Sequence, residues 1–156
     1  MKQVFVRVLL VLSLALLVQS CSEQGDSPEA QIRRFIDVGI EAAENRDGDA
    51  LQDMLHVSYL DARGYDRKQL AGLLRVYFLR HKNIHLFSKI DSIELINDNQ
   101  ATVKMHVAMA GSVIADVDAL AALRAQIYRF ELELVKQSEW QLQHARWARA
   151  SAADLR

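Results

Sequence analysis

The chain is poor in the residues that punctuate or cross-link a fold: 156 residues contain one cysteine, one proline and six glycines. With Cys21 alone, no intrachain disulfide can form. So little Pro and Gly excludes collagen-like and mucin-like segments, and an apolar content of 51% excludes a disordered chain. Neither sign of charge dominates, with 19 Lys and Arg against 20 Asp and Glu. Without a basic stripe, nucleic-acid binding has no electrostatic support. Nucleophile-elbow and phosphate-loop patterns are also missing, which removes the corresponding hydrolase and nucleotide-binding classes. The length allows one compact domain and no internal repeat is visible.

What is present begins with a leader. Lys2 and Arg7 precede the apolar run Val8–Val18, broken only by Ser13. Eleven residues at ~1.5 Å rise span roughly 16 Å, about half a bilayer core, which suits a signal-peptide core better than a membrane anchor. Val18-Gln19-Ser20-Cys21 then resembles the lipobox of bacterial lipoproteins. That resemblance implies removal of residues 1–20, a thioether-linked diacylglycerol on Cys21 and an acylated, typically palmitoylated, new N-terminus. Several acyl chains, at about 0.8 kcal/mol per buried methylene, give stable anchoring where one would be marginal. Ser22 at the next position resembles the outer-membrane sorting pattern of Gram-negative bacteria, so the expected location is the outer membrane, facing the periplasm. Loss of Lys2 and Arg7 changes the formal charge from -1 to -3.

Residues 21–27 read as a polar tether and residues 28–150 as the domain. Ser27-Pro28 is a helix start, a hydroxyl cap before proline. Ile32, Phe35, Ile36, Gly39, Ile40 and Ala43 follow at helical spacing, predicting a helix to about Asn45. Gly39 on that face points to a close crossing. Asp49 with Gln52 predicts a second, short helix ending near His56. Ser58–Asp61 is a brief extended piece and Arg63-Gly64-Tyr65 a turn. Asp66 with Gln69 caps a third helix, about Arg67–His81, with Leu70, Leu73, Leu74, Tyr77 and Phe78 on one stripe. From Ile84 the period falls to two. Ile84–Ile96 keeps one face only with an extra residue near Asp91-Ser92, a bulge. Asn97–Gln100 is a hairpin turn, and Ala101–Ala110 alternates with His106 on the outer parity. Residues 111–125 read as a long loop with a helical turn or two. Ile127–Val135 carries Tyr128, Phe130, Leu132 and Leu134 on one face, with Arg129, Glu131 and Glu133 on the other. Trp140–Trp147 closes the sheet with broken parity, which requires a bulge or two covered faces.

The order of three helices then four antiparallel strands, with the hairpin Tyr128–Leu134 leading to Trp140 and Ala145-Arg146-Trp147, resembles the NTF2-like superfamily of ketosteroid isomerase-like and SnoaL-like domains. The resemblance implies an α+β fold in which three N-terminal helices pack into a curved, mostly antiparallel sheet, a cone. It also implies a homodimer through the outer sheet face that carries Arg129, Glu131 and Glu133.

An enzyme of that shape would need a carboxylate or histidine base facing a hydroxyl donor inside the cone. The candidates are Asp61 as base, read as solvent-facing beside Arg63, with Tyr77 or Tyr128 as donor. The aromatics Tyr59, Tyr77, Phe78, Tyr128, Phe130 and Trp140 are either core or the lining of a small apolar pocket. His81 and His85 are four apart, but Asn83 ends the helix between them, and His106 and His144 have no acidic cluster beside them; neither metal nor cofactor is expected. The reading is therefore an envelope lipoprotein with an NTF2-like domain that binds a small apolar ligand or a protein partner without catalysis. An isomerase- or dehydratase-type enzyme and a purely structural protein are the alternatives.

Overall fold

A computed structural model describes residues 27–115, 117 and 125–155. The leader, Cys21 and most of the expected loop at 111–125 lie outside the described residues. Helix α1 (Pro28–Glu44) starts as the sequence predicts: the Ser27 hydroxyl accepts from the Ala30 N–H at 3.2 Å, and Pro28 stands at the first helical position. Its end is more specific. Arg46 takes a left-handed φ of 57°, the Arg46 N–H donates to the Ala43 carbonyl, and the Asp47 N–H donates to that of Ala42. This is a Schellman stop built on a non-glycine residue. It leaves Asp47, and not the expected Asp49, in place to cap α2 (Gly48–Asp53), where its carboxylate accepts from the Ala50 N–H at 2.9 Å. Ala50 stands three residues after Asp47, so no reciprocal box closes here, while the one expected at α3 (Arg67–Arg80) is present between Asp66 and Gln69.

The extended piece is longer than expected and is a strand, β1 (Leu55–Asp61). It pairs parallel with β5 (Trp140–Arg149) and completes a five-stranded sheet. With β2 (His85–Asn97), β3 (Gln100–Ala110) and β4 (Gln126–Lys136), the order is β1-β5-β4-β3-β2. The other pairings are antiparallel. The expected bulge in β2 is present, its register shifting between Ile90 and Ser92, and the hairpin turns at Asp98-Asn99. The broken parity of β5 is also a bulge: Glu133 faces His144 while Leu134 faces Leu142, so Gln143 is the extra residue.

One expectation is corrected. The sheet is open, with β1 and β2 as free edges, and is not strongly curled, so the curved cone is not formed. The β3–β4 pairing runs from Gln100–Val135 to Met109–Gln126 without a register shift. Bulges bend a sheet locally, and here they lie in β2 and β5, to either side of this regular pair.

The main core lies between the helices and one sheet face. It joins Ile32 and Ile36 of α1 to Leu55 and Tyr59 of β1, and to the cross-strand row Val103, Leu132 and Ala145. A second, smaller cluster lies elsewhere. Ala108 and Ile127 are covered by Leu155, which a short 3-10 turn (Ala152–Leu155) brings against them. The Lys89 ammonium donates to the Leu155 carbonyl at 3.0 Å. His106, read as an outward residue, is buried, with Nδ1 2.7 Å from Asp91 Oδ2 but off the line of a hydrogen bond. Helix α3 departs from its expected stripe in the other direction, since none of its residues is fully buried.

Candidate ligand cavity

The helical spacing that predicts α1 also builds the roof of a cavity. Phe35, Ile36, Gly39, Ile40 and Ala43 face down from α1. Leu51 and Met54 close one side and Leu70 and Leu74 of α3 another. The floor is the sheet, where alternation places Met105 and Val107 of β3 beside Phe130 and Leu132 of β4, with Leu55 and Leu142 at the far edge. The space between them is about 270 Å³ and opens to solvent on one side. Among the described residues, no titratable side chain and no hydroxyl lines it. Gly39 has its reason here: a Cβ at that position would lie 3.2 Å from the Met54 methyl, so the glycine lets the Met54 side chain pass under α1.

Of the aromatics singled out in the sequence, Phe130 alone lines this space, and its ring stacks on Trp147 with centroids 6.2 Å apart. Tyr59 and Trp140 are core residues. Phe78 faces a polar groove beside α2, and Trp140 also borders a surface hollow at the β4–β5 turn. Tyr77 lines a separate hollow of about 140 Å³ with His81, Met109 and Gln126. Its hydroxyl donates to Met109 Sδ at 2.9 Å, and its ring stacks on His81 at 4.1 Å. Burial, and then the neighbouring Tyr128, push the Tyr77 phenol above its usual range. Tyr128 donates to Gln126 Oε1 at 3.1 Å. The two tyrosines are thus close to each other.

Asp61 is elsewhere. It is buried, at 2% exposure, where the sequence suggested a solvent-facing residue. The bend at Arg63-Gly64-Tyr65 folds back over it. Its Oδ1 accepts from the N–H groups of Arg63 at 2.8 Å and Tyr65 at 2.9 Å, while Oδ2 is buried without a hydrogen bond. Arg63 does not pair with this carboxylate but lies over the Trp147 ring, 4.9 Å from its centroid. Asp61 is level with Ala145 on β5, and Tyr128, one strand further, is level with Arg149. Four residues of strand are roughly 13 Å, so base and donor do not converge. The residues that sequence reasoning missed, Leu51, Met54, Leu55 and Leu142, carry only an apolar signal, which does not separate core from cavity wall. Among the described residues no three His, Cys, Asp or Glu side chains gather as a metal site.

No family model and no curated protein matches this sequence. Solved structures do. One is Bd1075 of Bdellovibrio bacteriovorus, with 14% identity and a TM-score of 0.63 over 76% of this chain, which spans only 40% of that protein. Another is a ketosteroid isomerase-like protein from Erwinia carotovora atroseptica, with 14% identity and a TM-score of 0.58 over 78% of this chain and 95% of the other. A third is an NTF-2 like protein of unknown function from Shewanella oneidensis, with 16% identity and a TM-score of 0.55 over 77% and 98%. Likeness at these identities establishes a common fold and nothing finer.

Proposed function

Starting from the NTF2-like fold shared with these structures, we propose that the domain is a non-enzymatic binding module for a small apolar ligand. We further propose that Cys21 carries the lipid that tethers the domain to the bacterial envelope, on the periplasmic side of the outer membrane. The observation that supports the binding reading is the wall of the 270 Å³ cavity: helices and sheet contribute hydrocarbon and the thioethers of Met54 and Met105, and the lining residues described include no base, acid or hydroxyl. Such a wall rewards removal of apolar surface from water, at about 25 cal/mol per Å², and offers nothing that would steady a developing charge. The isomerase or dehydratase alternative needs a carboxylate and a hydroxyl at one space. Asp61 is instead engaged in its own turn, Tyr77 faces another hollow, and the Tyr128 hydroxyl donates to Gln126.

The chain from Ser22, purified without detergent, tests the reading. All core residues lie between Ile32 and Leu155, so this form keeps the core. Native mass spectrometry is expected to find an apolar molecule bound, and the neutral dye N-phenyl-1-naphthylamine to brighten on entering the emptied cavity. Leu70→Trp, which fills the space from α3, should abolish the brightening. An unbound chain whose dye signal is the same in Leu70→Trp would sink the proposal. For the tether, Cys21→Ser is expected to abolish incorporation of labelled palmitate, and unchanged labelling would exclude the anchor.

A further inference from the structure

Helix α3 has a second apolar face that the fold leaves uncovered. Leu70 and Leu74 point into the cavity, while Leu73, Val76 and Leu79 turn progressively away from it and are 46%, 48% and 78% exposed. Single exposed leucines are ordinary, but three at three-residue spacing on one helix make a stripe. The same segment is cationic throughout. Arg67, Lys68, Arg75, Arg80 and Lys82 lie between positions 67 and 82, with no Asp or Glu among them. Lys68 stands in the first turn of α3 and Arg80 at its last position, so they mark the two ends of the stripe; both are exposed, and neither meets a carboxylate among the described residues. Arg75 shares a groove with Asp47 and Asp49 of α2, and Asp47 is already spent as the α2 cap.

The geometry points to an anionic lipid surface as the partner of this face: α3 lies in the plane of the interface, Leu73, Val76 and Leu79 enter the headgroup boundary, and Lys68 and Arg80 meet lipid phosphates. An interfacial helix needs this combination of an apolar stripe and flanking cations. A second copy of the chain fits less well. A two-fold contact through α3 would set the same acid-free helix against itself, cation against cation. The inference is independent of both the cavity ligand and the lipid on Cys21.

Flotation of the chain from Ser22, which carries no lipid, with phosphatidylcholine vesicles tests it. Adding phosphatidylglycerol to about one-third of the lipid should raise the bound fraction fivefold or more, since each cation near an anionic surface contributes about a fivefold gain. Raising salt to about 1 M, where the Debye length is about 3 Å, should reverse that gain in the unaltered chain. Lys68→Gln with Arg80→Gln should lower binding to anionic vesicles about 25-fold, and Leu79→Gln should lower it on all vesicles, each with unchanged thermal melting. The proposal is overturned by absence of flotation, by equal flotation on neutral and anionic vesicles, or by variants that bind like the parent. It is also overturned if Leu79→Gln abolishes a concentration-dependent doubling of mass while flotation is unaffected.

Discussion

Asp61 and Tyr65 clasp each other twice: the Tyr65 N–H donates to Asp61 Oδ1 at 2.9 Å, and the Asp61 N–H donates to the Tyr65 carbonyl at 3.1 Å. The clasp closes the turn at the end of β1, and Gly64, at a φ of 84°, supplies the left-handed residue that the turn requires. The buried carboxylate therefore has a structural task at the place where sequence alone suggested a base.

Replacing Asp61 tests that task. Asp61→Ala strands the Arg63 and Tyr65 donors in a partly buried site and is expected to cost about 2 kcal/mol, read from the denaturant midpoint. Asp61→Asn keeps an acceptor and should cost about half as much. Gly64→Ala should cost about 1 kcal/mol through its backbone alone, since nothing lies within 4 Å of a Cβ placed there.

The stop of α1 can be improved. Arg46 holds a conformation that glycine adopts freely, and its N–H bond to Ala43 is made by the backbone. Arg46→Gly is expected to raise stability by about 0.5 kcal/mol, the relief at positive φ exceeding the added freedom of the unfolded chain. A lower denaturant midpoint in this variant would show that the Arg46 side chain contributes more than its strained backbone costs.

Alkaline pH should destabilise the fold through Tyr59. Burial, and then the nearby Asp61 charge, push its phenol well above the ordinary value of 10.0. Below pH 10 folded and unfolded chains both hold the proton, so Tyr59 adds no pH dependence. Above it the unfolded chain releases the proton while the folded chain retains it, and stability falls by up to about 1.4 kcal/mol per pH unit. Tyr59→Phe should flatten that part of the slope in urea melts between pH 9 and about 11. An unchanged slope would assign it to other groups.

The 3-10 turn that ends in Leu155 is a small but real part of the core. Leu155→Ala should cost about 2 kcal/mol, at the low end for a buried leucine because its cluster is small. The turn is held by Asp154, which accepts from the Ser151 N–H and hydroxyl; these bonds hold its carboxyl below the ordinary value of 3.8. Its contribution is present above that value and is lost as pH falls below it, so Ser151→Ala should reduce the acid sensitivity of the melt.

Much of the architecture was legible because it depends on short-range chemistry. The Ser27 cap, the Asp66–Gln69 box, the bulge beside Asp91 and the turn at Asp98-Asn99 each follow from a few neighbouring residues. The misreadings have a common cause. Asp49 looked like a cap because its spacing to Gln52 is right, but the left-handed Arg46 upstream had already delivered Asp47 to that position. His106 sits on a polar parity, yet it is buried on its sheet face, and β1 found its partner 84 to 87 residues away in β5.

Composition and periodicity by themselves determined the three helices, the antiparallel strands β2 to β5 and the apolar faces of α1 and β3. Those are properties of one residue and its near neighbours along the chain. Tertiary structure alone decided that the sheet stays open, that Asp61 closes a turn away from the tyrosines, and that the aliphatic faces of α1, α3 and the sheet stop short of filling the space between them. Apolar side chains announce that they will be buried, but whether they meet or leave a void depends on volumes summed over segments distant in sequence.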